Sequence, residues 1–103
     1  MKSYLLFGIS NMETAVAELD RVLPGQRDPW LLSDPSGDVI GYFRAWPTNL
    51  EVDGPDDPNG AGPLVQADIS GRHYNEDAAV ITVLRQVQVA AGGVLKNDDN
   101  APV

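Results

Sequence analysis

Two stretches of this chain space their apolar residues as helices do, and each stands between short runs that read as strands. In the first, Met12, Ala15, Val16, Leu19, Val22 and Leu23 recur three and four apart, which gathers them on one face. Ser10 and Glu13 precede that face in the S-x-x-E pattern of a capping box, and Pro24-Gly25 ends it. In the second, Val80, Val83, Leu84, Val87 and Ala91 form the stripe and Gly92-Gly93 stops it. Val80, Ile81, Thr82 and Val83 are β-branched and lean toward strand by propensity, but the period and the length from Glu76 to Ala91 decide for helix. Asn75 stands where a cap belongs, with Glu76 and Asp77 at the positive end of the helix dipole.

Amphipathic helices of this length must bury their stripes against something, and the intervening residues supply a sheet. Ser3 to Ile9 is a compact run of aromatic and aliphatic residues. Trp30 to Ser33 and Val39 to Trp46 flank Asp34-Pro35-Ser36-Gly37, whose Asp, Pro and Gly suit the first, second and fourth places of a type I turn. Alternation places Val39, Gly41, Phe43 and Ala45 on one face and Ile40, Tyr42, Arg44 and Trp46 on the other. Leu64 to Gly71 reads as a further strand, and Val94 to Lys96 as a short last one. The predicted order is β-α-β-β-loop-β-α-β. The fold class that follows is α+β, a single-domain two-layer sandwich in which two helices cover one face of a mainly antiparallel sheet of four to five strands. The closest common architecture is the ferredoxin-like split β-α-β with an added hairpin strand, which by itself implies no activity. The domain spans residues 1–96, and 97–103 form a polar C-terminal tail. No internal repeat is present.

The chain has 103 residues, the size of one domain, and no cysteine, which removes disulfides, thiolate metal sites and cysteine nucleophiles. It fits a reducing cytoplasm. The start passes for a secretory signal only at first sight: its apolar run, Tyr4 to Ile9, is short, and Glu13 stands before the cleavage-like Ala15-Val16-Ala17. Fifteen carboxylates against seven Lys and Arg give a net charge of −8. Such a field repels nucleic-acid phosphates and anionic membranes and draws in cationic proteins. The segment 47–63 concentrates the acidity, with Glu51, Asp53, Asp56 and Asp57 among four prolines and three glycines and no basic residue.

The only histidine sits in Gly71-Arg72-His73-Tyr74-Asn75-Glu76-Asp77. Read chemically, His73 is a general base or a metal ligand with Asp77 or Glu76 as partner, and Arg72 and Tyr74 complete an enzymatic site. Two ligands do not make a stable metal site, however, and nothing nearby in the sequence supplies a third. Read structurally, the stretch is a strand exit followed by a helix cap, and this is the reading the pattern favours. Asp57-x-Asn59-Gly60 resembles the end of a calcium loop, but Pro55 takes the first ligand place and Gln66 stands where the glutamate belongs. Walker A, G-x-G-x-x-G, H-E-x-x-H and G-x-S-x-G patterns are missing.

No cofactor or metal is therefore expected, and no catalytic residue. The functional expectation is a small acidic cytoplasmic protein acting through protein–protein interaction, an inhibitor or immunity-type partner of a basic protein. Its interaction candidates are Tyr42 and Trp46, aromatic neighbours on one strand face, with Glu51, Asp53, Asp56 and Asp57. A homodimer through the open sheet face would bury the same aromatics. The alternative is a small-molecule-binding or enzymatic domain with a pocket near His73.

Overall fold

The computed structural model describes residues 2–25, 29–46, 63–73, 75–97, 99 and 101–103, with Arg72 described by its backbone alone. Glu51, Asp53, Asp56 and Asp57, together with the Pro- and Gly-rich segment that holds them, lie outside these residues, as does Tyr74. In chain order the elements are β1 (Lys2–Phe7), α1 (Met12–Val22), β2 (Trp30–Ser33), β3 (Val39–Trp46), β4 (Leu64–Ile69), a 3-10 turn (Gly71–His73), α2 (Asp77–Ala91) and β5 (Val94–Asn97). The five strands form one sheet in the order β2-β3-β4-β1-β5, with every neighbouring pair antiparallel. The helices pack on each other and on the sheet, so the fold is an α+β two-layer sandwich.

Alternation explains which strand residues meet the helices. Tyr4 and Leu6 of β1 stand opposite Ala67 and Val65 of β4, Phe43 of β3 stands opposite Ala67, and Trp30 of β2 opposite Phe43. These side chains are buried with Leu19 of α1 and with Val80, Leu84 and Val87 of α2 in one core. Gly41 lies on the same face, and a Cβ there would fall 2.9 Å from Val80 Cγ2. The missing side chain lets α2 settle close to β3. Ile40 departs from strict alternation: it joins the core and does not share the open face with Tyr42. It lies beside the register shift between Leu32 and Ser33 where β2 and β3 pair, a local irregularity that redirects side chains.

The stripe expected for α2 is the buried one, Val80, Val83, Leu84, Val87 and Ala91. Packing of that stripe against the sheet outweighs β-branched propensity. Both caps differ from expectation. On α1 the cap is Asn11, not Ser10: its backbone is extended and its side chain accepts the Thr14 N–H at 3.2 Å. Ser10 is drawn into a tertiary role. Its N–H and its hydroxyl both donate to the Ala91 carbonyl at 2.8 Å, satisfying an end carbonyl of α2 and joining the two helix ends. On α2 the cap position belongs to Glu76, which makes no side-chain cap bond, so Asn75 does not cap the helix.

Asp77, in the first turn of α2, is held by β1. It accepts the Tyr4 hydroxyl at 2.8 Å and Lys2 Nζ at 3.3 Å. The Tyr4 hydroxyl above all, then the backbone N–H of Asp77 and Lys2, holds this carboxyl below its ordinary value. A depressed folded-state value means that the contribution is complete above the ordinary carboxylate range, about 3.9, and is lost as pH falls through the lowered value. Asp77→Asn is therefore expected to cost about 1 kcal/mol near neutrality, below the roughly 1.5–3 kcal/mol of a buried hydrogen bond to a charged group because the carboxylate is 31 % exposed and screened by water. Urea midpoints of wild type and variant should converge once the pH falls below the lowered value. A gap that persists in acid would show that the carboxylate's charge is not what matters.

Two further bonds place the outer elements. The Trp30 indole N–H donates to Asp20 Oδ1 at 2.9 Å, tying edge strand β2 to α1. Past β5 the chain turns back, with the Val103 N–H donating to the Leu95 carbonyl at 3.1 Å and a bridge between Lys96 and Pro102. Among the described residues, no helix is long and apolar enough to cross a membrane.

Candidate functional site

Among the described residues, chemistry-bearing side chains gather at two places, the junction around His73 and the sheet face without helices. The junction is built from the β2–β3 hairpin and the 3-10 turn. The hairpin is closed as its sequence predicts, with the Gly37 N–H donating to the Asp34 carbonyl at 2.9 Å. Asp34 Oδ1 then accepts the Ser36 hydroxyl at 2.7 Å, the Asp38 N–H at 2.9 Å and the Ser36 N–H at 3.0 Å. Those bonds, the Ser36 hydroxyl first, hold the Asp34 carboxyl below its ordinary value.

The 3-10 turn is anchored beside this hairpin. The Ser70 N–H donates to the Ile40 carbonyl at 2.9 Å, and the His73 N–H closes the turn on the Ser70 carbonyl at 2.9 Å. This brings the imidazole, 13 % exposed, against two carboxylates. Nε2 lies 2.9 Å from Asp38 Oδ2, and Nδ1 is hydrogen-bonded to Glu76 Oε2. The hydrogen bond to Asp38 chiefly, and that to Glu76 next, raises the His73 pKa above its ordinary value, partly offset by desolvation. The ring thus stays charged further up the pH scale than an ordinary histidine.

Of the residues predicted around His73, Glu76 is a partner and Asp77 is not. Spacing by four would bring His73 and Asp77 together only on a shared helix; His73 ends the 3-10 turn before α2 begins, and Asp77 faces β1. Tyr74 and the Arg72 side chain lie outside the described residues. Asp34 and Asp38 were missed, because they stand on a hairpin 39 and 35 positions back in the chain. The turn motif marked Asp34 but not Asp38, and nothing local says which element will dock beside a turn. One ligand atom each from Asp34, Asp38 and His73 lie within 4.8 Å of one another.

The open sheet face follows from the register in three rows. Leu31, Tyr42, Asp68 and Ser3 form one, Arg44, Gln66, Leu5 and Lys96 the next, and Trp46, Leu64, Phe7 and Val94 the last. A hydrogen-bonded chain crosses them: Trp46 Nε1 donates to Gln66 Oε1 at 3.0 Å, Gln66 Nε2 to Asp68 Oδ1 at 3.2 Å, and Ser3 Oγ to the same oxygen at 2.6 Å. Tyr42 is 40 % exposed and Val94 52 %. Tyr42 and Trp46 are thus on the face the helices leave uncovered, while Leu64 and Phe7 are buried on it. This chain matches no family model and no curated protein.

Proposed function

We propose that this protein acts by binding a basic protein through the sheet face opposite its helices, as an acidic inhibitor or immunity-type partner in the cytoplasm. The observation that carries this reading is the placement of Tyr42 and Trp46 on a face that neither helix covers, with the Trp46 indole oriented by Gln66. Aromatic side chains held in place on an open surface are the residue type that dominates interface energetics. The described part of the face is mixed in charge, with Arg44 and Lys96 beside Asp68. Complementarity to a cation therefore comes from the net charge of −8, which speeds encounter and makes it sensitive to salt.

The scaffold in this reading is ferredoxin-like with β2 as the added hairpin strand. In support, β4 and β5 flank β1 and are joined through α2, and β3 lies beyond β4. A homodimer through the same face is the competing occupant. The alternative of a small-molecule site near His73 draws on one observation, the inward direction of its ring toward Asp38.

Capture from lysate of the source cells by wild type and by the Tyr42→Ala/Trp46→Ala pair tests the reading. A basic protein retained by wild type, released as salt rises, and bound at least about 30-fold more weakly by the double variant is the expected result. Retention equal in both proteins sinks it. A concentration-dependent dimer in sedimentation, abolished by the same pair, assigns the face to a second copy instead.

A further inference from the structure

We propose that Asp34, Asp38 and His73 form a binding site for a first-row divalent transition-metal ion, with Glu76 as the carboxylate that orients the histidine. One ligand atom from each of the three lies within 4.8 Å of the others. Ligands bonded at about 2.0–2.2 Å to a single ion stand about 3–4 Å apart, so the 2.9 Å His73–Asp38 pair would open slightly while wider separations within the group close. The group would differ from a surface cluster of carboxylates in having a nitrogen donor whose tautomer is set. Without an ion both ring nitrogens face carboxylates as donors, Nδ1 toward Glu76 and Nε2 toward Asp38; a bound ion would take the place of the Nε2 proton and leave Nδ1–H on Glu76. A ligating histidine that gives its second N–H to a carboxylate is the usual arrangement around protein-bound metals.

The ligands also come from a backbone that is already closed. Asp34 spends Oδ1 on the Ser36 and Asp38 bonds, which fixes its carboxylate plane and leaves Oδ2 with no hydrogen bond among the described residues. The 3-10 turn is pinned to β3 through the Ile40 carbonyl. One imidazole and two carboxylates suit zinc, manganese, iron, cobalt or nickel better than calcium or magnesium, which prefer oxygen alone. Three protein ligands leave further coordination positions for water or a small anion, the pattern of reactive rather than purely structural zinc sites. The site is independent of the open sheet face, and its failure would leave the partner-binding reading untouched.

The test uses the untagged 103-residue chain, stripped with a chelator and titrated with zinc chloride, then with manganese and calcium chlorides. His73 is the only histidine, so its ring signals in nitrogen-correlated NMR report on this site alone. Expected is saturation by a single zinc per chain, with Nε2 moving to the metal-bound range while Nδ1 stays protonated. Calcium should leave the ring signals unmoved. Asp38→Asn and Asp34→Asn, which keep the shape of the hairpin, should each weaken zinc at least about ten-fold, and Glu76→Gln about 10–100-fold with the stoichiometry retained. Thermal unfolding in chelator checks that each variant folds; the wild-type ring signals decide the matter should one fail. Ring signals unmoved at about 1 mM zinc, or affinity unchanged in both aspartate variants, overturns the proposal.

Discussion

Replacing Phe43 by alanine is expected to cost about 3–5 kcal/mol, a large part of the roughly 5–15 kcal/mol that holds a domain folded. Phe43 is fully buried and heads the completely buried side chains by volume. It lies on β3 with Trp30 on one side and Ala67 on the other, beneath the helices. Neither neighbour can fill the space: the Trp30 ring is tied to Asp20 by its indole N–H, and Ala67 has no reach. The change should appear as a lower urea midpoint with an unchanged slope. The adjacent Tyr42→Ala is the control, since Tyr42 points the other way and is 40 % exposed. It should cost less than about 1 kcal/mol and, if the proposed partner-binding face is correct, weaken partner capture. Equal costs at the two positions would mean that the faces are assigned the wrong way round.

Gly93→Ala is expected to cost about 2–5 kcal/mol through two separate causes. Its φ is +108°, a conformation that a side chain strains by roughly 1–3 kcal/mol. A Cβ there would also stand 2.6 Å from the Phe7 carbonyl oxygen and 3.2 Å from both Ile9 Cγ2 and Leu6 Cδ1. Backbone oxygen cannot swing away as a flexible side chain can, so β5 must shift off β1 and lose part of the pairing Phe7 to Val94 and Leu6 to Leu95. That shift moves Val94 and Lys96, which border the open face. Urea unfolding gives the cost, and amide exchange in β5 gives its place. A loss under about 0.5 kcal/mol would refute the close passage of the α2–β5 connection over β1.

Much of this architecture is legible in the sequence. The α1 and α2 stripes, the Asp34-Pro35-Ser36-Gly37 turn and the strands bounded by Pro47, Pro63 and Gly71 all came from interactions spanning a few residues. The caps and the histidine's partners are of another kind. Ser10 and Asn11 are both competent caps, and the choice between them was made by the Ala91 carbonyl at the far end of α2. His73 and Asp77 have the spacing of helical neighbours, but His73 belongs to the 3-10 turn and Asp77 to α2, and Tyr4 and Lys2 claim the aspartate. In each case local chemistry offered equivalent options, and a residue distant in sequence selected among them.

The order of strands and helices, the apolar stripes and the acidity were therefore determined by the sequence alone, because periodicity and turn chemistry act within about four residues. Which face the helices cover, and so which aromatics stay outside, was decided only by the tertiary structure, since β3 carries apolar residues on both sides. The same holds for the only histidine. Its place next to a helix was readable, but its ligand-like company was not: Asp38 reaches it across 35 positions because β3 and the 3-10 turn after β4 dock side by side.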